Sequence, residues 1–316
     1  MTGTVYKSTG SHYNVKTTAG DFYECRIKGK FRLQGIKSTN PVAVGDVVDF
    51  ELQEIADEAI GIIHHIQERR NYLVRKSVNL SKQLHILAAN IDQAFLMITL
   101  QTPPTLSVFV DRFLASCEVF DIKVILLFNK VDLHDEDLQM ETAFLKHTYE
   151  QIGYECFEIS ALKGTHKDVL IEKMKGKTTL LAGHSGVGKS TLINTIDPKL
   201  NLKTAEVSET HLQGQHTTTF AEMYDLDFGG RIIDSPGIRG FGLFDFQKEE
   251  IGDCFPEFFA LKSDCKFHNC LHINEPGCAV KAALDEDRVS WSRYQSYVQM
   301  LDDDEGNYRE DIYKQE

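Results

Sequence analysis

No apolar stretch in this sequence of 316 residues approaches the roughly 18 residues that a helix needs to cross a bilayer. The opening residues, Met1 to Lys7, also lack the apolar centre of a secretory signal. Both absences point to a cytoplasmic protein with no membrane partner. An even set of cysteines is missing too. Seven are present, three of them crowded between Cys265 and Cys278, which fits a metal site in a reducing compartment better than a disulfide framework. There is no excess of basic charge: 34 Lys and Arg stand against 47 Asp and Glu, a formal net charge of −13. A field of that sign repels phosphate and argues against indiscriminate nucleic-acid binding. Repeats and long low-complexity tracts are also absent, and with 42% hydrophobic content disorder is expected only at the ends.

Local charge runs the other way at the N-terminus. Residues 1–40 hold seven basic residues, Lys7, Lys16, Arg26, Lys28, Lys30, Arg32 and Lys37, against Asp21 and Glu24. If residues 26–32 are extended, Arg26, Lys28, Lys30 and Arg32 share one face, because side chains alternate along a strand. Such a face serves equally as an RNA-binding stripe or as a solvated edge strand guarded by charge. Short β-rich runs at 4–9, 13–18, 22–28, 46–52 and 60–66, broken by Gly, Asn and Pro, predict a small all-β barrel of the OB-fold kind over residues 1–70. Residues 71–89 read as a linker with helical tendency. From residue 90 to 245 strands alternate with helices, the pattern of a parallel sheet covered on both faces. A mostly helical unit with an acidic tail follows over 246–316.

Gly183, His184, Ser185, Gly186, Val187, Gly188, Lys189 and Ser190 match G-x-x-x-x-G-K-S, preceded by an apolar strand at 178–182 and followed by a helix that begins at Thr191. The glycines let backbone amides turn inward around phosphate oxygens, and the helix start adds its dipole. Lys189 should reach the β- and γ-phosphates, and the Ser190 hydroxyl should ligate Mg²⁺. Asn129-Lys130-Val131-Asp132, at the end of an apolar strand, supplies guanine recognition, since a carboxylate at its fourth position accepts from both N1–H and the exocyclic amine. Ser160-Ala161 ends the next strand, where the base would be backed. The guanine motif therefore comes before the phosphate loop, the reverse of the usual order in GTPases. In a parallel sheet the pocket survives such re-ordering, provided the loops keep their places at the carboxyl ends of strands.

Asp234-Ser235-Pro236-Gly237 follows a third apolar strand. Asp234 is expected to hold Mg²⁺ through water, and the Gly237 amide to meet the γ-phosphate. Between the two loops runs Gln213 to Thr219, where Thr218, or Thr217 beside it, should complete the Mg²⁺ shell. The residue after Gly237 is Ile238, not the glutamine that orients water in Ras-like enzymes, so slow intrinsic turnover is expected. His216 is the candidate replacement. Cys265-x4-Cys270-x-His272-x5-Cys278 offers three thiolates and an imidazole, a complete tetrahedral set for one structural Zn²⁺, with His268 as a rival ligand. So small a segment is expected to draw much of its folding energy from the metal.

Together these residues resemble the RsgA family of circularly permuted GTPases. So do Arg26 to Lys30, Val44-Gly45-Asp46, Arg69-Arg70-Asn71, Asn90-Ile91-Asp92-Gln93 and Asp111-Arg112-Phe113. The resemblance spans nearly the whole chain. It implies a GTP/GDP-binding hydrolase in late assembly of the small ribosomal subunit, gripping rRNA through its flanking domains and activated by the subunit. A monomer is expected. The alternative is a GTP-dependent scaffold or signalling switch that binds protein partners with negligible turnover.

Overall fold

The computed structural model describes residues 1–27, 40–55, 58–76, 84–203, 220–235 and 246–302. The barrel is built from β1 (Thr2–Ser8), β2 (Tyr13–Thr17), β3 (Phe22–Ile27), β4 (Val47–Ile55) and β5 (Glu58–Ile66). Its strands run β1-β2-β3-β5-β4 and close through β4 on β1, with β3 and β5 parallel and the other pairs antiparallel. This is the closed five-strand OB-fold barrel expected from the sequence. Period-two burial fills it: Tyr13 and Val15 point inward from β2, and Val5, Cys25, Val48, Phe50 and Ile63 meet them. Gly61 is required there, because a Cβ would lie 2.3 Å from the Cys25 Sγ.

Residues 71–89 correct the sequence reading. In place of the helical tendency, their described part forms an antiparallel ribbon of β6 (Tyr72–Lys76) and β7 (Leu84–Ala89). Propensity lost to pairing, since Leu73, Ile86 and Leu87 gain burial in this register. The neighbouring motif residues fix the barrel, the ribbon and the start of the central sheet to one another. Arg69 pairs bidentately with buried Asp46, at 2.6 and 2.7 Å. Asn71 exchanges two 2.8 Å hydrogen bonds with the backbone of Ile91.

The central unit contains β8 (Gln93–Ile98), α1 (Ser107–Glu118), β9 (Lys123–Asn129), α2 (Glu136–Ile152), β10 (Glu155–Ile159), α3 (Lys167–Met174), β11 (Thr178–Ala182), α4 (Lys189–Ile196), β12 (Glu222–Asp225) and β13 (Arg231–Asp234). The order β10-β9-β8-β11-β13 is parallel throughout, and β12 adds antiparallel to β13. One core lies under α1 and α2, another under α3 and α4. Every residue of β8 is buried, as a strand covered on both faces must be. Local signals set α2: the Asp135 side chain caps it by accepting from the Leu138 amide, and Gly153 ends it in the left-handed region.

One junction goes beyond the sequence reading. β1 pairs with β12, Lys7 opposite Glu222, so barrel and central unit share one continuous sheet of 11 strands. Lys7 meets Glu222 at 2.9 Å, Tyr6 donates to Asp225 at 2.6 Å, and Lys16 also pairs with Asp225.

The C-terminal unit consists of α5 (Lys248–Ile251), α6 (Pro256–Phe259), α7 (Ala279–Asp285) and α8 (Trp291–Asp302). It packs around Phe255, Phe258, Val280, Tyr297 and Leu301, and its core takes in Ala115 of α1. That core is larger than the sequence reading allowed. Arg293, 1% exposed, reaches Asp111 of α1 at 2.7 Å and forks onto Glu257 at 2.8 and 3.0 Å.

Candidate functional site

The phosphate loop leaves β11 at Gly183 and enters α4 at Lys189, so its amides precede a helix start at the carboxyl edge of the sheet. Gly183, Gly186 and Gly188 all have positive φ. At Gly188 close approach adds a second demand, because a Cβ would lie 2.5 Å from the Asn129 Nδ2. Lys189 is buried and folds back to donate to the carbonyls of Gly183 and His184, at 2.8 and 2.9 Å. Burial pushes its ammonium down to about 8, and the nearby charge of Asp234 opposes the shift. An anionic phosphate in the loop would act in the same sense as Asp234. Asp234 closes β13, which runs parallel beside β11 with Asp234 opposite Leu181. Buried Ser235 anchors this turn by donating to the Leu181 carbonyl at 2.7 Å. Asp234 at the end of β13 and Ser190 in the first turn of α4 carry the kind of oxygen donors that Mg²⁺ requires.

Asn129 joins the loops. Its Nδ2 donates to the Val187 carbonyl at 2.6 Å, and its Oδ1 accepts from the Ala161 amide at 2.9 Å. The turn that begins at Asn129, the glycine-rich loop and the Ser160-Ala161 turn are thus tied together at the carboxyl edge of the sheet. Lys130 takes the left-handed conformation, and its ammonium donates to the Thr102 carbonyl. Asp132 sits half-buried in a short 3₁₀ turn that opens toward α2. Ser160 accepts from the Lys163 amide, and the Thr195 hydroxyl of α4 holds the Ala161 carbonyl at 2.7 Å. Ser185, Gly186 and Thr191 lie in the same loop and helix start. His216, Thr217, Thr218 and Gly237 lie outside the described residues, as do Lys28, Lys30 and Arg32. Arg26 is exposed at the end of β3.

Some supports carry no motif. Phe109 of α1 packs against the His184 ring, centroids 3.9 Å apart and planes tilted by 33°, and so braces the phosphate loop from the first helix. A helical pattern marks Phe109 as apolar, but nothing in it says that the partner is a loop far along the chain.

The cysteine cluster assembles as spaced. Ligand atoms of Cys265, Cys270, His272 and Cys278 all lie within 4.8 Å of one another, and His268 is exposed outside the group. The His272 Nδ1 faces the sulfurs, 3.3 Å from Cys278 and 3.7 Å from Cys265. Burial lowers the pKa of that imidazole and so favours its neutral form, which suits a ligand. Burial and the neighbouring thiols push Cys270 up to about 12, a cost that a divalent cation reverses. Amides of Ala279 and Lys281 donate to the sulfurs of Cys265 and Cys278. A second ring of contacts holds the ligand loop. Tyr294 and Tyr297 donate to the carbonyls of His272 and Leu271, each at 2.8 Å, and the Glu275 carboxylate accepts from the amides of Leu271, Ile273 and Asn274. The donor set fits a closed structural metal site with no open position for catalysis.

Comparison with known proteins agrees with this geometry. The family model described as RsgA GTPase matches residues 66–244, and the RsgA N-terminal domain matches residues 2–63. The chain belongs to the RsgA GTPase family. It is 61% identical to the small ribosomal subunit biogenesis GTPase RsgA of Christiangramia forsetii, covering 99% of this chain and 100% of that protein. Identity to the RsgA 2 protein of Bacteroides thetaiotaomicron is 54%, over 98% of this chain and 99% of the relative. Among solved structures, YjeQ from Thermotoga maritima superposes with a TM-score of 0.73 at 32% identity, covering 95% of this chain and 96% of that one. The circularly permuted GTPase YloQ gives 0.68 at 30% identity, covering 95% and 93%. The motif inversion is therefore the permutation of the RsgA fold.

Proposed function

We propose that this chain hydrolyses GTP to GDP and phosphate during biogenesis of the small ribosomal subunit, and that the subunit activates it. The observation that carries the reading is Asn129, which ties the Asn-Lys-x-Asp turn, the glycine-rich loop and the Ser160-Ala161 turn to one another. Asp132 reads the base, Lys189 neutralises phosphate charge, and Ser190 and Asp234 hold Mg²⁺ with Thr218 or Thr217. His216 orients the attacking water in place of the glutamine that Ile238 replaces. The four-ligand cluster holds one structural Zn²⁺.

The working units are a barrel over 1–70, a connecting segment over 71–89, the permuted GTPase unit over 90–245 and the metal unit over 246–316. Arg26, Lys28, Lys30 and Arg32 contact rRNA, and the factor acts as a cytoplasmic monomer. The excess of basic charge over residues 1–40, seven against two on a chain of net charge −13, supports RNA contact at that end.

The test is turnover with and without purified small subunits. Subunits should accelerate hydrolysis at least 10- to 100-fold, equivalent to about 1.4–2.7 kcal/mol off the barrier. Binding of the GTP form with no acceleration would overturn the activated hydrolase and favour a scaffold.

A further inference from the structure

α2 has two sides of opposite character. Leu138, Thr142 and Tyr149 are buried, whereas Met140 and Phe144, one turn apart, are 64% and 63% exposed. Glu136, Asp137 and Glu141 stand exposed around Met140, and Glu150 is exposed further along. The only lysine of the helix, Lys146, pairs with Glu158. α2 packs beside β10, the terminal strand at the opposite end of the sheet from the barrel. Among the described residues neither barrel nor C-terminal helices cover the two apolar side chains.

Single apolar residues on a surface are ordinary, but Met and Phe side by side form the kind of anchor found at interface centres. Charge decides the occupant. RNA phosphate is repelled by this acidic surround, a second copy would bring like charge against like, and the chain's own tail adds Asp303, Asp304 and Glu305. We propose that the outer face of α2 binds a basic protein segment, apolar side chains seating on Met140 and Phe144 while Lys or Arg meet Glu136, Asp137 and Glu141. The proposal rests on the small-subunit reading above, in which a ribonucleoprotein offers RNA to the barrel and basic protein to this helix.

The experiment places a benzophenone side chain at position 144 of the full-length protein. Loaded with a non-hydrolysable GTP analogue, it is irradiated on purified small subunits, and the crosslinked component is identified by mass spectrometry. A crosslink to a protein segment of net positive charge is expected. The double variant Met140→Ser, Phe144→Ser should bind subunits at least 10-fold more weakly, with unchanged GTP affinity and melting temperature. A crosslink to rRNA, or cosedimentation with no crosslink, overturns the face alone, as does full subunit affinity in the double variant. Failure of the unmodified protein to cosediment overturns the small-subunit reading and removes the partner with it.

Discussion

The side chain of Asn129 donates to the carbonyl of Val187 at 2.6 Å across 58 residues of chain, and so spans the permuted order of the two nucleotide loops. The same side chain's amide oxygen takes the Ala161 N–H. In Asn129→Ala both buried backbone groups lose their partner, at about 1–3 kcal/mol each. GTP and GDP affinities should fall together by about 10- to 100-fold in fluorescence titrations, the lower part of that range in energy. Unchanged affinity for both would show that the pocket does not need this bridge.

Base choice is separable from pocket integrity. Asp132→Asn should weaken GTP by about 2–4 kcal/mol, since an amide mismatches the N1–H and amine donors of guanine. Xanthosine triphosphate should bind better than in the parent protein. A variant that kept full preference for GTP would remove Asp132 from base recognition.

Asp234, Glu222 and Lys7 lie in one row across β13, β12 and β1. The row leads from the end of β13 into the barrel. Because the Lys7–Glu222 pair is partly exposed, its loss should cost stability no more than about 1 kcal/mol. The effect expected of Lys7→Ala is on coupling: the difference in subunit affinity between GTP-analogue and GDP forms should shrink, while basal turnover holds. An unchanged difference would show that the barrel does not sense the nucleotide through β12.

The Arg293–Asp111 contact predicts a pH signature. Burial already raises the Asp111 carboxyl above its ordinary range, and Arg293 opposes that rise. Arg293→Ala leaves the carboxylate buried without its cation, although the Tyr149 hydroxyl still donates to it at 3.0 Å, a loss of about 3–5 kcal/mol at neutral pH. With its folded pKa raised further, Asp111 binds its proton more readily in the folded than in the unfolded protein. Stability of the variant should therefore recover, relative to the parent, as pH falls from about 7 toward about 5. Urea unfolding at both pH values measures this, and a deficit that widens on acidification would contradict it.

Metal removal should have a bounded effect. The sequence alone suggested a unit folded by its ion, but the core of Phe255, Phe258, Tyr297 and Leu301 stands beside the cluster. Cys270→Ser should lose zinc, and fast hydrogen exchange should appear over 265–278 while α8 stays protected. Nucleotide binding should persist. Protection unchanged over 265–278 would show that the loop is held by Glu275 and the two tyrosines without metal.

Much of this protein is determined by local sequence. Alternating apolar residues mark the barrel strands, continuous apolar runs mark β8, β9 and β11, and the turns after β9 and β11 carry the Asn-Lys-x-Asp and glycine-rich motifs in spacings of a few residues. Such signals are legible because strand period, helix caps and phosphate nests depend on neighbours in the chain. The Cys265, Cys270, His272 and Cys278 cluster is legible for the same reason. The short helix α3 and strand β12 are not, since eight and four residues give too little periodicity. Only the tertiary structure decided that β6 pairs with β7 as a ribbon, that β12 joins β1, that Phe109 braces His184 and that Arg293 ties α8 to α1. Each of these is a contact between distant segments, chosen by shape, burial and charge satisfaction in the assembled fold, and no period along the chain encodes the partner.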